Sequence, residues 1–132
     1  MRKKCKVGYK ICMVKDGKYI SGLIPNFNGI MIRNNSVEYK LNRCTKRNEG
    51  CGPLAVFDNI EDALSYPRRS AYDFKVNTKY VIFKCYYRES SDKMLWVNNK
   101  KVFKDYVPDG TAFADTVNLK EIVKEFYGVE EY

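Results

Sequence analysis

The stretch Thr78 to Arg88, TKYVIFKCYYR, constrains the fold more than any other in this chain. It is rich in aromatic and β-branched residues, and neither glycine nor proline interrupts it. With a period of two, Val81, Phe83, Cys85 and Tyr87 share one face, while Tyr80, Ile82, Lys84, Tyr86 and Arg88 share the other. The pattern predicts the strongest strand of the molecule. A strand cannot stand alone, so the remaining segments are read for its partners.

Several qualify. In KVGYKICMV, Val7, Tyr9, Ile11 and Met13 alternate with Lys6, Gly8, Lys10 and Cys12, which predicts a strand with one inward, apolar face. Asp16-Gly17 follows as a hairpin signal before Tyr19, Ile20, Leu23 and Ile24. GIMIR and VEYKL read as short strands, the second with Val37, Tyr39 and Leu41 on one side. Residues 42–52 have the composition of a loop, while KMLWVNNKKVFKDYV reads as a hairpin turning at Asn98-Asn99.

Two segments carry the helical period instead. In GCGPLAVFDNIEDALSY, Gly50, Gly52 and Pro53 form a turn, and residues 54–57 read as a short buried strand. Asp58 or Asn59 then caps a helix whose stripe is Ile60, Ala63 and Leu64, with Glu61 and Asp62 in its first turn and Pro67 as its stop. A phosphate-binding loop would place its glycines between strand and helix, whereas here they precede the strand. Near the other end, Asp115 or Thr116 caps a second helix with the stripe Leu119, Ile122, Val123 and Phe126, closed by Gly128 and followed by the acidic Glu130 and Glu131. The resulting expectation is an α+β fold: one domain over residues 1–132, with a twisted, mainly antiparallel sheet. Two short helices, about 59–66 and 116–127, pack against one face.

Charge points towards a class of partner. Residues 1–47 carry 12 Lys or Arg against only Asp16 and Glu38, and the remaining 85 residues carry 12 basic and 14 acidic side chains. A positive field concentrated in this way attracts phosphates and acidic proteins, although a solvated lysine-rich surface looks the same in sequence. No apolar run approaches the ~18 residues of a membrane span. The basic start is interrupted by Lys6, Lys10 and Lys15, unlike a signal peptide, so the cytoplasm is the expected location.

The chain has no histidine, which removes Ser-His and Cys-His nucleophile pairs. Its cysteines are 5, 12, 44, 51 and 85, and an odd count without a secretory signal argues against a disulfide framework. Cys5/Cys12 and Cys44/Cys51 repeat one spacing, but on a strand positions seven apart face opposite ways and lie roughly 23 Å apart. No metal or cofactor is therefore expected. Glu121 and Glu125, with Lys120 and Lys124, read as an exposed, ion-paired helix face.

Binding has better raw material. Tyr80, Lys84, Tyr86 and Arg88 offer rings and cations on one strand face, suited to stacking bases and neutralising phosphates. Lys6 and Lys10 extend that surface if their strand lies beside it, and Arg43, Lys46 and Arg47 supply a basic loop. The opposing expectation is that this face lies beneath the helices, with Tyr80, Ile82 and Tyr86 in the core. For an enzyme, Glu89 is the carboxylate to test first, as the group that would orient a ribose hydroxyl in an ADP-ribosyltransferase-like or nuclease reaction.

The motifs GYK, VEYK, GCGPLAVFDNIEDAL and PDGTAFADTVNLKEI together resemble small accessory proteins encoded by bacteriophages and related mobile elements. That resemblance covers most of the chain and carries no assigned catalytic residues. It implies provenance more than activity: small phage proteins of this kind are accessory factors that bind host components, including defence proteins and nucleotide signals. Taken with the charge, the leading expectation is a non-enzymatic binding protein, of a counter-defence type, that captures an anionic partner, whether a nucleotide signal, a nucleic acid or an acidic protein surface. If the ligand is a small nucleotide, a cavity between protomers and hence a homodimer is expected.

Overall fold

A computed structural model describes residues 5–21, 26–27, 30–31, 37–47, 53–69, 74–91, 95–97, 100–102 and 109–128. The strands are β1 (Cys5–Lys15), β2 (Lys18–Ser21), β3 (Asn26–Phe27), β4 (Ile30–Met31), β5 (Glu38–Tyr39), β6 (Cys44–Lys46) and β7 (Leu54–Phe57). After the helix α1 (Ile60–Arg69) come β8 (Lys79–Glu89), β9 (Leu95–Val97), β10 (Lys100–Val102) and β11 (Thr111–Tyr127). The Gly50/Gly52 turn, the Asn98-Asn99 turn and Glu130-Glu131 lie outside the described residues. β3–β4 and β9–β10 are small antiparallel hairpins, and the remaining strands form one antiparallel sheet.

That sheet closes on itself. β8 pairs β1 along one edge and β11 along the other. β7 then pairs both β11 and, through Tyr9 opposite Phe57, β1. The four strands make a hydrogen-bonded ring, which removes the open edges an isolated sheet would present. β2 and β5 extend it beside β1, and β6 lies beside β11. At the β1–β2 turn Asp16 and Gly17 have φ of 52° and 75°, the paired positive values of a type I′ hairpin.

Closure produces two cores. Inside the ring lie Cys12, Leu54, Val56, Val81, Phe83, Cys85, Tyr87, Ala114, Val117 and Leu119, with Val37 and Tyr39 from the β5 side. Outside it, α1 and the segment at Phe74 cover Ile11, Phe57, Tyr80 and Ile82 through Ala63 and Tyr66. Phe74 meets Tyr80 and Phe126 edge-on, with ring centroids 4.9 and 5.3 Å away. The helix starts where its sequence says it should, since Asn59 Oδ1 accepts the Asp62 N–H at 2.8 Å. Pro67 does not stop it. The helix runs on to Arg69, giving up the one intrahelical bond that an N–H at position 67 would make to the Ala63 carbonyl.

The expected α+β fold with two helices is corrected to a mostly β fold with one helix among the described residues. Residues 116–127 belong to the long strand β11. Its register against β8 slips past Asp115, Lys120 and Val123, each an extra residue bulged out of the ladder. Bulges shift an alternating pattern by one, so Leu119, Ile122, Val123 and Phe126 mimic the helical stripe while the backbone stays extended. A helix here would leave one edge of β8 unpaired. The strand fills it and sets Lys84 directly opposite Glu121, where their side chains pair at 3.7 Å, and Lys79 within 3.1 Å of Glu125. The carboxylates expected on an exposed helix face are thus cross-strand partners.

The inward face of β1 is also corrected. Lys6, Gly8, Lys10 and Cys12 pair with Tyr87, Cys85, Phe83 and Val81; Gly8, Lys10 and Cys12 are buried in the ring interior, and Lys6 continues the same face out to its exposed mouth. Tyr9, Ile11 and Met13 instead pack outside under the helix layer, and Val7 is exposed. Only closure of the ring decides which side of β1 becomes the interior.

Candidate functional site

Two places concentrate chemistry. The first is the uncovered outer face of β6, β11 and β8, beyond the reach of α1. Residues directly opposite one another in a ladder share a face. One row across the sheet is therefore Lys46, Thr116, Arg88 and Cys5, and the next is Cys44, Asn118, Tyr86 and Val7. Strands stand about 4.8 Å apart, so Lys46 and Arg88 are set roughly 10 Å from each other across β11. Both are exposed and neither has an ion pair among the described residues. Tyr86 is 42% exposed. The bulged Lys120 places its Nζ 5.7 Å from the Tyr86 ring centroid, a cation–π contact that occupies one side of the ring. Asn118 Oδ1 in the same row is buried and accepts no hydrogen bond among the described residues. Arg43 and Arg47, both exposed, flank β6 at its two ends.

The expected binding residues therefore divide. Lys46, Lys84, Tyr86 and Arg88 share this face, with Arg43 and Arg47 beside it. Tyr80 does not contribute: it is 1% exposed beneath Phe74 and Phe126, and its hydroxyl accepts the Lys75 N–H at 2.8 Å. Burial raises the pKa of that phenol. Lys6 and Lys10 project to the other side of β1 and cannot extend the surface.

Lys10 has an unusual position. It is only 6% exposed, its Nζ donates to the Ala55 carbonyl at 2.7 Å, and it stands 5.3 Å from the Tyr39 ring centroid. Burial lowers its pKa below the usual 10.5, against a smaller upward pull from Cys12 and Cys85. The same burial pushes both thiols up to about 12, so they remain protonated at neutral pH. A charged ammonium in such a place needs partners, and a carbonyl and a ring face provide them.

The second place is one mouth of the ring. A cavity of about 770 Å³ opens there, lined by Lys6, Val7, Asp58, Tyr87, Glu89, Thr111, Ala112 and Phe113. Lys6 Nζ bonds Glu89 Oε2 at 2.7 Å, which raises the lysine pKa. Gly8 sets the wall: a Cβ there would stand 2.7 Å from Tyr87 Cε1 and 2.9 Å from the Phe57 carbonyl oxygen. Asp58 arrives from the turn before α1, where its N–H donates to the Gly110 carbonyl at 2.8 Å. Glu89 was legible as a candidate carboxylate. Tyr87, Asp58 and Thr111 were not, because each belongs to a pattern that reads as core, helix cap or turn. Lys120 on the outer face was hidden by the bulge that aims it.

Among the described residues no helix is long and apolar enough to cross a membrane. Comparison with protein-family models, with curated proteins and with solved structures gives no match.

Proposed function

We propose that this chain is a non-enzymatic binding protein whose outer sheet face captures a phosphate-bearing, base-bearing partner, namely a single-stranded nucleic acid. One observation carries the reading. Two adjacent ladder rows set Lys46 and Arg88, without carboxylate partners among the described residues, beside an exposed Tyr86 ring. Cations track a phosphate backbone and the ring stacks a base whatever its sequence, at ~1–3 kcal/mol per stacked base. Lys120 holds one face of the Tyr86 ring and leaves the other to the ligand. The face is complete in one chain, so this mode of binding does not require a homodimer. A role as a phage-type factor that counters host defence is what the sequence resemblance adds, and it rests on that resemblance alone; the cytoplasm as its location rests on the interrupted basic start of the chain.

The test is fluorescence anisotropy with short labelled single strands over a salt series. Arg88→Glu should weaken binding and flatten the salt dependence by about one unit of slope per lost phosphate contact. Tyr86→Ala should weaken it roughly 5- to 100-fold with the slope unchanged. Absence of binding at low salt, or binding indifferent to both substitutions, removes the proposal. Retention of an acidic protein in place of the oligonucleotide also removes it.

A small nucleotide-using enzyme is the weaker reading. Its candidate carboxylate, Glu89, is held by Lys6 on a rim where both side chains are at least 40% exposed, whereas acid–base work calls for an enclosed group.

A further inference from the structure

We propose that the mouth of the strand ring is a second binding site, separate from the outer face, for a neutral hydroxyl-rich ring: a pentose, either free or as the sugar of a nucleoside. Tyr87 points to a ligand most directly. Its residue is 4% exposed, it lines the cavity, and its hydroxyl has no hydrogen bond among the described residues. The ring is buried while the hydroxyl is not among the buried unpaired atoms, so it opens into the cavity, free to exchange a hydrogen bond with a ligand hydroxyl. The surrounding groups decide the ligand's charge. Lys6 stands on Glu89 at 2.7 Å, and Asp58 adds a further carboxylate on the same wall. An ammonium entering the mouth meets Lys6, and an anion meets Asp58 and Glu89. A neutral polyol meets neither obstacle: its hydroxyls donate to the carboxylates and accept from Lys6 and Tyr87. The volume of about 770 Å³ lies within the range of small-molecule sites, and a barrel mouth is a common place for one.

The site is tested by titrating isotope-labelled protein with D-ribose and with adenosine and following amide shifts by NMR. Putrescine and inorganic phosphate serve as the charged controls. Saturable shifts centred on Lys6, Asp58, Tyr87, Glu89 and Thr111 are expected with a sugar-bearing probe. Adenosine binding without ribose binding identifies the nucleoside as the source, and comparable binding of ribose identifies the free sugar. Tyr87→Phe keeps the ring and removes only the hydroxyl, so affinity should fall about 5- to 10-fold in a folded protein. Glu89→Gln should weaken binding by a similar factor, and Arg88→Glu should leave it unchanged, which separates failure here from failure of the outer face. Saturation by putrescine or phosphate instead of sugar, no saturation by any probe, or an unaltered affinity in Tyr87→Phe overturns the assignment.

Discussion

Replacing Gly8 with alanine is the sharpest probe of the closed ring. Gly8 faces the interior opposite Cys85, where the Tyr87 ring lies over β1. The added methyl would stand 2.7 and 2.9 Å from two Tyr87 ring carbons and 2.9 Å from the Phe57 carbonyl oxygen, against an ordinary contact of 3.4 Å or more. The ring must therefore move by over half an ångström, yet Tyr87 is almost fully buried. The carbonyl belongs to β7, where Phe57 pairs with Tyr9 to shut the ring. Overpacking of this kind costs about 1–3 kcal/mol, and loss of glycine's freedom in the unfolded chain returns about 0.4–1. A net loss of ~1–2 kcal/mol corresponds to roughly 4–8 °C in Tm for a domain of this size. Thermal and urea unfolding measure it, and a double-mutant cycle locates it. In a Tyr87→Leu background the loss from Gly8→Ala should shrink by about 1 kcal/mol, whereas in Tyr87→Phe, which keeps both clashing carbons, it should persist. An alanine variant as stable as the parent, or an identical loss in all three backgrounds, would refute the packing described for this wall.

Three further outcomes are expected. Lys10→Met should stabilise the protein at neutral pH, because the folded pKa of Lys10 lies below 10.5 and the unfolded chain holds the extra proton. Each unit of that depression is worth about 1.4 kcal/mol. The variant's advantage should therefore be full below the folded pKa and fade as pH rises towards 10.5, as read by urea unfolding of both proteins along a pH series. Asn59→Ala should lower stability by ~1 kcal/mol through loss of the bond to the Asp62 N–H, with the effect visible as fraying of α1 in hydrogen exchange. Cys5 and Cys44 should react promptly with a thiol reagent in the native protein, while Cys12 and Cys85 should react only in denaturant, since burial keeps both protonated and covered.

Local structure was readable in the sequence wherever one residue sets its own geometry. The alternation in β8, the Asp16-Gly17 turn, the Asn59 cap and the β9–β10 hairpin all stand as the residues announce them. Closure was not readable. It makes an interior of the face of β1 that carries Lys6, Gly8 and Lys10, and no local pattern marks a lysine as inward. Bulges were equally hidden: the extra residues at Lys120 and Val123 convert a two-residue period into an imitation of a helix. The candidate site shows the same division. Lys84, Tyr86 and Arg88 lie together because they share one strand face, and Lys46 joins them only through a ladder that spans 70 residues from Lys46 to Thr116. Tyr80 starts on the same face and is removed from it by Phe74 and Phe126, contacts that lie outside its own segment.

The ring also fixes when the protein can first become itself during synthesis. β11 is the last of its four strands to leave the ribosome, and it contributes pairs to both β7 and β8. Until residue 127 has emerged, one edge of β8 stays bare and Phe83 and Cys85 lack their wall, an adhesive intermediate that favours late, concerted folding and a demand for chaperones.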